Sequence, residues 1–221
     1  MSEQREPASR RIVFWRHGRT AWNAERRFQG QSDIPLDEQG IAQAQRAAEM
    51  LVHLAPHRIV SSDLMRARST AEALAAIADL PVLTDPRLRE TNAGQWEGLH
   101  RAELLERFGS ELALWASDSY VRPGGGETRV EVADRMVAAV SEYLERLPSG
   151  ATLVVATHGG SARAAIGALL EIPPQNWGCL GVLSNCAWSI LTENETGHGP
   201  RWRLQEYNAG SLPTPALADD R

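Results

Sequence analysis

Two short apolar runs, Arg11-Ile12-Val13-Phe14-Trp15 and Ala151-Thr152-Leu153-Val154-Val155-Ala156, each break at a histidine followed by glycine, at Arg16-His17-Gly18 and Thr157-His158-Gly159-Gly160. Both are too short for an independent helix. Both are rich in β-branched or aromatic residues and flanked by polar ones, which is the pattern of a buried strand. In α/β sheets ligands bind beyond the carboxyl ends of the strands, so the pattern delivers His17 and His158 to the edge where chemistry is done. One histidine after a core strand is usually a satisfied buried side chain; two such strands make each histidine a candidate.

A third strand-to-helix junction lies between them, at Arg58-Ile59-Val60-Ser61-Ser62-Asp63-Leu64-Met65-Arg66. Ser62 or Asp63 is expected to cap the helix. Arg66 then falls in the first turn, beside free N–H groups and the positive end of the dipole, where an anion is held. Arg68 faces elsewhere. A fourth segment, Asp85 to Gly98, carries Glu90 between a short extended stretch and a glycine-containing turn. Glu90 is either an ordinary surface acid or a proton donor.

Helical spacing of Ile41, Ala44, Ala48 and Leu51 predicts a helix capped by Asp37 and ended before Pro56. Helices are also expected over 64–80, 128–147 and 161–170. Residues 186–191 and 201–205 read as strands of a terminal hairpin, joined by a polar loop with Gly197 and Gly199. The alternation of strand and helix predicts an α/β domain over residues 11–210, a mainly parallel sheet with helices on both faces. Flexible tails are expected at 1–10 and 211–221.

At 221 residues with a net charge of −5, the chain offers no basic footprint for nucleic acid. No apolar run approaches the ~20 residues of a membrane helix. Two cysteines and no apolar leader predict a cytoplasmic protein. His53 and His57 are separated by Pro56 and make a poor metal pair. Gly124-Gly125-Gly126 follows no buried strand, so it is a loop, with a hinge as one reading. Most of the seven tryptophans are expected in the core, with Trp115 a candidate for substrate contact.

Four ordered segments, Arg16 to Asn23, Ser62 to Ala71, Leu88 to Gly98 and His158 to Gly160, together resemble the histidine phosphatase, or phosphoglycerate mutase-like, superfamily. The resemblance runs from Arg11 to Ala209. It implies a three-layer α/β/α sandwich and hydrolysis of a small phosphate monoester, a phosphorylated metabolite such as a sugar or glycerate phosphate. It assigns catalysis to His17, Glu90, Arg16, Arg66 and His158, and substrate binding to Thr20, Asn23, Gln29, Gly30 and Gly159. His17 would be the nucleophile. Glu90 would protonate the leaving oxygen and then deprotonate water, which needs a proton retained near neutrality beside the anionic substrate. No metal or cofactor is implied, and a homodimer is compatible. Three further segments, 125–133, 172–177 and 201–204, resemble a branch of the family acting on glycosylated phosphoglycerates. Mutases of the family carry a basic pair after the tryptophan where this chain has Ala116-Ser117, which favours hydrolysis over phosphotransfer. A catalytically silent binding module of the same fold is the remaining alternative.

Overall fold

The computed structural model describes residues 9–194 and 198–210. The expected tails, beyond Ser9 and Arg10, and Gly197 of the expected hairpin loop lie outside the described residues. Six strands form one sheet: β1 (Arg11–Arg16), β2 (Arg58–Ser61), β3 (Val82–Thr84), β4 (Thr152–Thr157), β5 (Trp188–Glu193) and β6 (Trp202–Ala209), in the order β3-β2-β4-β1-β5-β6. The β1/β4, β2/β4 and β2/β3 pairs are parallel. β5 and β6 are antiparallel additions that close the edge beside β1, so the sheet is mixed.

Alternation along β1 sends Ile12 and Phe14 to one face and Val13 and Trp15 to the other. The first pair joins a core built with α5 (Arg129–Glu145) and α6 (Gly159–Leu169), through Val132, Met136, Val140 and Ile166. The second joins α2 (Glu38–Leu51) and α3 (Met65–Ala78), through Ala44, Ala48, Ala71 and Leu74. These are the three layers the sequence predicts. Asp37 caps α2 as expected, its side chain accepting from Gly40 N at 2.8 Å.

The cap of α3 differs from expectation. Its N-cap position is Leu64, without a side-chain cap of its own. Asp63 is drawn instead into a bidentate pair with Arg89, at 2.7 and 2.5 Å, and a fork of two charged hydrogen bonds outcompetes a single cap. Ser62 Oγ accepts from Leu64 N at 3.3 Å, while Met65 N donates to Asp33 from a separate loop at 2.7 Å. The hairpin also starts later than the pattern suggests, because Cys186, at φ 56°, is still turning and donates its N–H to His17 O.

Two helices were not legible in the sequence: the short α1 (Ala21–Glu25) and α4 (Arg101–Ser117), which is kinked at Phe108. Leu104 and Leu112 of α4 pack with Trp96, Phe28, Phe108 and Trp115 as a small third core. The triglycine is a packed seam rather than a hinge. A Cβ on Gly126 would stand 1.9 Å from Asn92 O, and one on Gly124 (φ 57°) 2.4 Å from Ala93 O. Of the tryptophans, Trp15, Trp96, Trp177, Trp188 and Trp202 are buried.

The N-terminus of α2 docks on the loop after β1 with backbone against backbone, and Gln43 Oε1 and Asp37 Oδ2 accept from Arg19 N and Nε at 2.9 and 2.8 Å. A Cβ on Gly40 would lie 2.0 Å from Arg19 O, and one on Gly18 2.4 Å from Gly40 O. Gly40→Ala is therefore expected to reduce unfolding free energy by about 1–3 kcal/mol, read as a lower urea midpoint. An unchanged midpoint would mean that α2 moves aside freely.

Candidate active site

The parallel register of β1 and β4 pairs Arg16 with Thr157. His17 and His158 follow these two residues and so emerge side by side from the same edge of the sheet. Their rings meet edge to face, with centroids 5.2 Å apart. Both imidazoles are buried, with relative exposures of 2% and 0%. Burial, reinforced by the Arg66 and Arg16 cations, holds His17 well below the ordinary imidazole value. Burial, then Arg66 and His17, does the same to His158.

Hydrogen-bond partners assign the tautomers. Gly18 O lies 2.7 Å from His17 Nδ1. A carbonyl only accepts, so Nδ1 carries the proton and Nε2 keeps its lone pair. His158 has the opposite arrangement: its Nδ1 accepts from Arg66 Nε at 3.2 Å, leaving the proton on Nε2. That buried Nε2 has no hydrogen-bond partner among the described residues.

Arg66 is fully buried near the start of α3. Its Nη1 and Nη2 donate to Ser32 O and Gly30 O, both at 2.7 Å, so three of its five N–H groups hold the protein together and one on each terminal nitrogen is left for a ligand. Burial lowers its guanidinium to about 10, which keeps it charged at neutral pH. Arg16 ends β1, with Nη1 on Leu183 O at 2.5 Å. Gly159 opens α6 directly against it: a Cβ there would be 3.3 Å from Arg16 Cζ and 2.6 Å from Val182.

Glu90 reaches the same point from the irregular segment after β3. Its Oε1 accepts from Thr91 N at 2.8 Å and Ser161 N at 2.9 Å, and its Oε2 accepts from Gly160 N at 3.0 Å. The carboxylate thereby caps the N-terminus of α6. Glu97, the other acid of this segment, accepts from Gln31 N, Ala93 N and Ser32 Oγ; it ties loops together.

These groups surround a cavity of about 270 Å³. Eight of the ten residues expected at the site line it: Arg16, His17, Asn23, Gln29, Gly30, Arg66, Glu90 and Gly159. His158 stands behind His17. Thr20, like His158, is not among the lining residues, and its exposure is 0%. It caps α1 by accepting from Asn23 N at 3.1 Å, and its hydroxyl is shared between Asn23 Oδ1 and Gln29 Oε1 at 3.1 and 3.0 Å. With Gln29 Oε1 so engaged, its NH₂ is the end left for a ligand.

Trp115, the candidate for substrate contact, does line the cavity, in an outer wall whose extent the sequence did not show: with Phe28, Leu104 and Leu112 it makes that wall apolar, and Arg26, Arg27, Arg101, Arg129 and Arg163 ring it with charge. The Arg129 guanidinium lies 4.1 Å from the Trp115 ring centroid, a stacked cation–π geometry. The spacing of Leu104, Phe108, Leu112 and Trp115 carries a helical signal that could have revealed α4. Glu90 is the one carboxylate among the described residues lining the cavity. No group of three or more His, Cys, Asp or Glu side chains suited to a metal occurs among the described residues.

The sequence profile of the histidine phosphatase superfamily (branch 1) matches residues 12–210. A glucosyl-3-phosphoglycerate phosphatase from Mycolicibacterium vanbaalenii is 40% identical over 215 residues, covering 91% of this chain and 96% of that protein. A protein of the same name from Mycobacterium tuberculosis is 41% identical over 219 residues, covering 92% and 96%. A probable phosphoglycerate mutase from Escherichia fergusonii is 38% identical, over 73% of this chain and 75% of its own. Among solved structures, mycobacterial glucosyl-3-phosphoglycerate phosphatase complexed with VO3 superposes with a TM-score of 0.84 at 43% identity, covering 91% of this chain and 100% of that one. A profile match across nearly the whole domain, relatives at this identity and a shared fold have one reading: the chain belongs to the histidine phosphatase superfamily.

Proposed function

We propose that this phosphoric monoester hydrolase cleaves glucosyl-3-phosphoglycerate, or a closely similar sugar or glycerate phosphate, through a phosphohistidine on His17. The observation that carries the reading is the opposed pair of tautomers, a lone pair on His17 Nε2 beside an unpartnered N–H on His158. A phosphate monoester needs its equatorial oxygens neutralised and its leaving oxygen protonated. Arg16, Arg66 and His158 Nε2–H supply the first need, with Gln29, Asn23 and the Gly159 end of α6 completing the cradle. His17 Nε2 attacks phosphorus in line, the P–O ester bond breaks, and Glu90 gives its proton to the departing alkoxide. Water then attacks the phosphohistidine while Glu90 takes the water's proton; the P–N bond breaks, and neutral His17 and orthophosphate are released.

The substrate reading is supported by the relatives' names and by the outer wall, where arginines over an aromatic surface suit a second anionic group and a sugar face. Hydrolysis rather than phosphotransfer is supported by Ala116-Ser117 after Trp115. We read the enzyme as cytoplasmic; no helix among the described residues is long and apolar enough to cross a membrane. A homodimer is compatible with this reading, and a monomer mass by light scattering would remove it.

The function is tested by phosphate release across sugar and acid phosphates. Glucosyl-3-phosphoglycerate should give the highest kcat/KM, and isomerisation of 3-phosphoglycerate without release would instead identify a mutase. Labelled phosphate should be trapped on His17 as an acid-labile, base-stable adduct, and His17→Ala should abolish turnover. Trapping on His158 would overturn the roles.

Glu90→Gln should slow cleavage of a sugar or glycerate phosphate by about 10²–10⁴-fold, because an alkoxide leaves poorly without a proton. With p-nitrophenyl phosphate the leaving group needs none, so a burst matching the enzyme concentration should precede slow turnover. Equal slowing of the burst for both leaving groups would show that Glu90 only positions substrate.

The neutral histidines also predict a pH-dependent stability. Their folded-state values lie below the ordinary one of about 6.5, so below that pH the unfolded chain binds protons that the folded chain does not. Stability should therefore fall with pH below about 6.5, by up to ~1.4 kcal/mol per pH unit for each histidine. Urea midpoints from pH 7.5 to 5 read this, and His158→Asn should flatten the slope by about one proton. A wild-type slope that this substitution leaves unchanged would mean that His158 charges within the folded protein.

A further inference from the structure

Arg135, near the middle of α5, spends its guanidinium on the segment that carries Glu90. Its Nη1 donates to Arg87 O and Arg89 O, both at 2.7 Å, and its Nη2 to Glu90 O at 2.9 Å. Its Nε and Nη2 also grip Glu127 Oε1 and Oε2, at 2.9 and 3.0 Å. All five N–H groups are thus engaged. Three of the acceptors are main-chain carbonyls of the segment that carries Glu90, a stretch belonging to no strand or α-helix.

Glu127 extends the clamp. Its Oε2 accepts from Asn92 N at 2.8 Å and its own N–H donates to Asn92 O at 2.8 Å. Gln31 Nε2 reaches both Glu90 O, at 3.1 Å, and Glu127 Oε2, at 3.4 Å. The Arg135–Glu127 pair thus holds the backbone at 87, 89, 90 and 92, alongside the anchors that Thr157 Oγ1 places on Leu88 O at 2.8 Å and Asp63 on the Arg89 side chain. That pair is shielded, with side-chain exposures of 17% for Arg135 and 26% for Glu127.

We propose that Arg135, oriented by Glu127, is a positioning residue for Glu90: it sets where the carboxylate stands relative to the leaving oxygen and so controls proton transfer without touching substrate. The proposal rests on the acid and base role given to Glu90 above. A planar fork that meets five acceptors cannot be replaced by an ammonium with three donors. In Arg135→Lys the segment keeps a positive neighbour but loses its register, and small displacements of a catalytic group cost up to about 10²-fold in rate.

The test pairs two substrates in four proteins: wild type, Arg135→Lys, Glu90→Gln and the double variant. In Arg135→Lys, kcat on 3-phosphoglycerate should fall by about 10- to 100-fold with KM changed less than about threefold. The burst with p-nitrophenyl phosphate should stay within about threefold of wild type, since that step needs no acid. In the Glu90→Gln background the lysine should add less than about twofold, because two changes acting through one group do not compound. A p-nitrophenol burst slowed as much as 3-phosphoglycerate cleavage, or losses that multiply in the double variant, would overturn the proposal. Should Arg135→Lys fail to fold, Glu127→Gln is read with the same substrates against the same outcomes. If Glu90→Gln itself lacks leaving-group dependence, the acid assignment fails; if only the Arg135 and Glu127 variants lack it, the positioning role alone fails.

Discussion

The parallel pairing of β1 with β4 is the constraint on which the site depends. Neighbouring strands lie about 4.8 Å apart, so two histidines one residue beyond a matched register pair must touch. That single geometric fact supplies the burial that keeps both imidazoles neutral, and it sets His158 where it can meet Arg66. The helices on either face serve the same pair. α3 brings Arg66 to it from one side of the sheet, and α6 begins at it on the other.

The electrostatics of the cavity follow from which acceptors the protein chose for its buried cation. Arg66 is held by two carbonyl oxygens and an imidazole nitrogen, none of them charged. A carboxylate in direct contact would have offset more of the desolvation cost, but would also have cancelled the field an anionic ligand feels. Glu90, the acid that lines the cavity, is turned to the N–H groups of α6 instead. The result is a site of buried cationic groups with positive potential, suited to a phosphoryl group as counter-charge.

What could be read in the sequence were features determined by neighbours along the chain. β1 and β4, the cap at Asp37 and the arrival of Arg66 in a first helical turn all depend on local patterns, and the junction residues followed from them. What could not be read depended on distant partners. Asp63 has every local property of a helix cap, yet Arg89 takes it away. Thr20 stands in a ligand-like motif, yet its hydroxyl faces Asn23 and Gln29 inside the protein. Nothing local in the sequence marks Arg101, at the start of α4, or Arg129, at the start of α5, as cavity wall, yet both line it, Arg129 stacked on Trp115. The triglycine looked free to move because nothing in the sequence announces the carbonyls it packs against.

The strand that opens the domain is covered by strands from the final third of the chain: β1 lies between β4 and β5 and touches neither β2 nor β3. During synthesis, Ile12 to Trp15 must wait for residues 152–157 before gaining a hydrogen-bonded neighbour. At ribosomal speeds of about 5–20 residues per second that wait is on the order of ten seconds. A bare apolar strand over such an interval is a target for chaperones and for mispairing. Closure over so long a separation also makes folding slow relative to proteins with local contacts. The pocket around His17 is therefore among the last parts of the molecule to exist, and an N-terminal fragment could not assemble it.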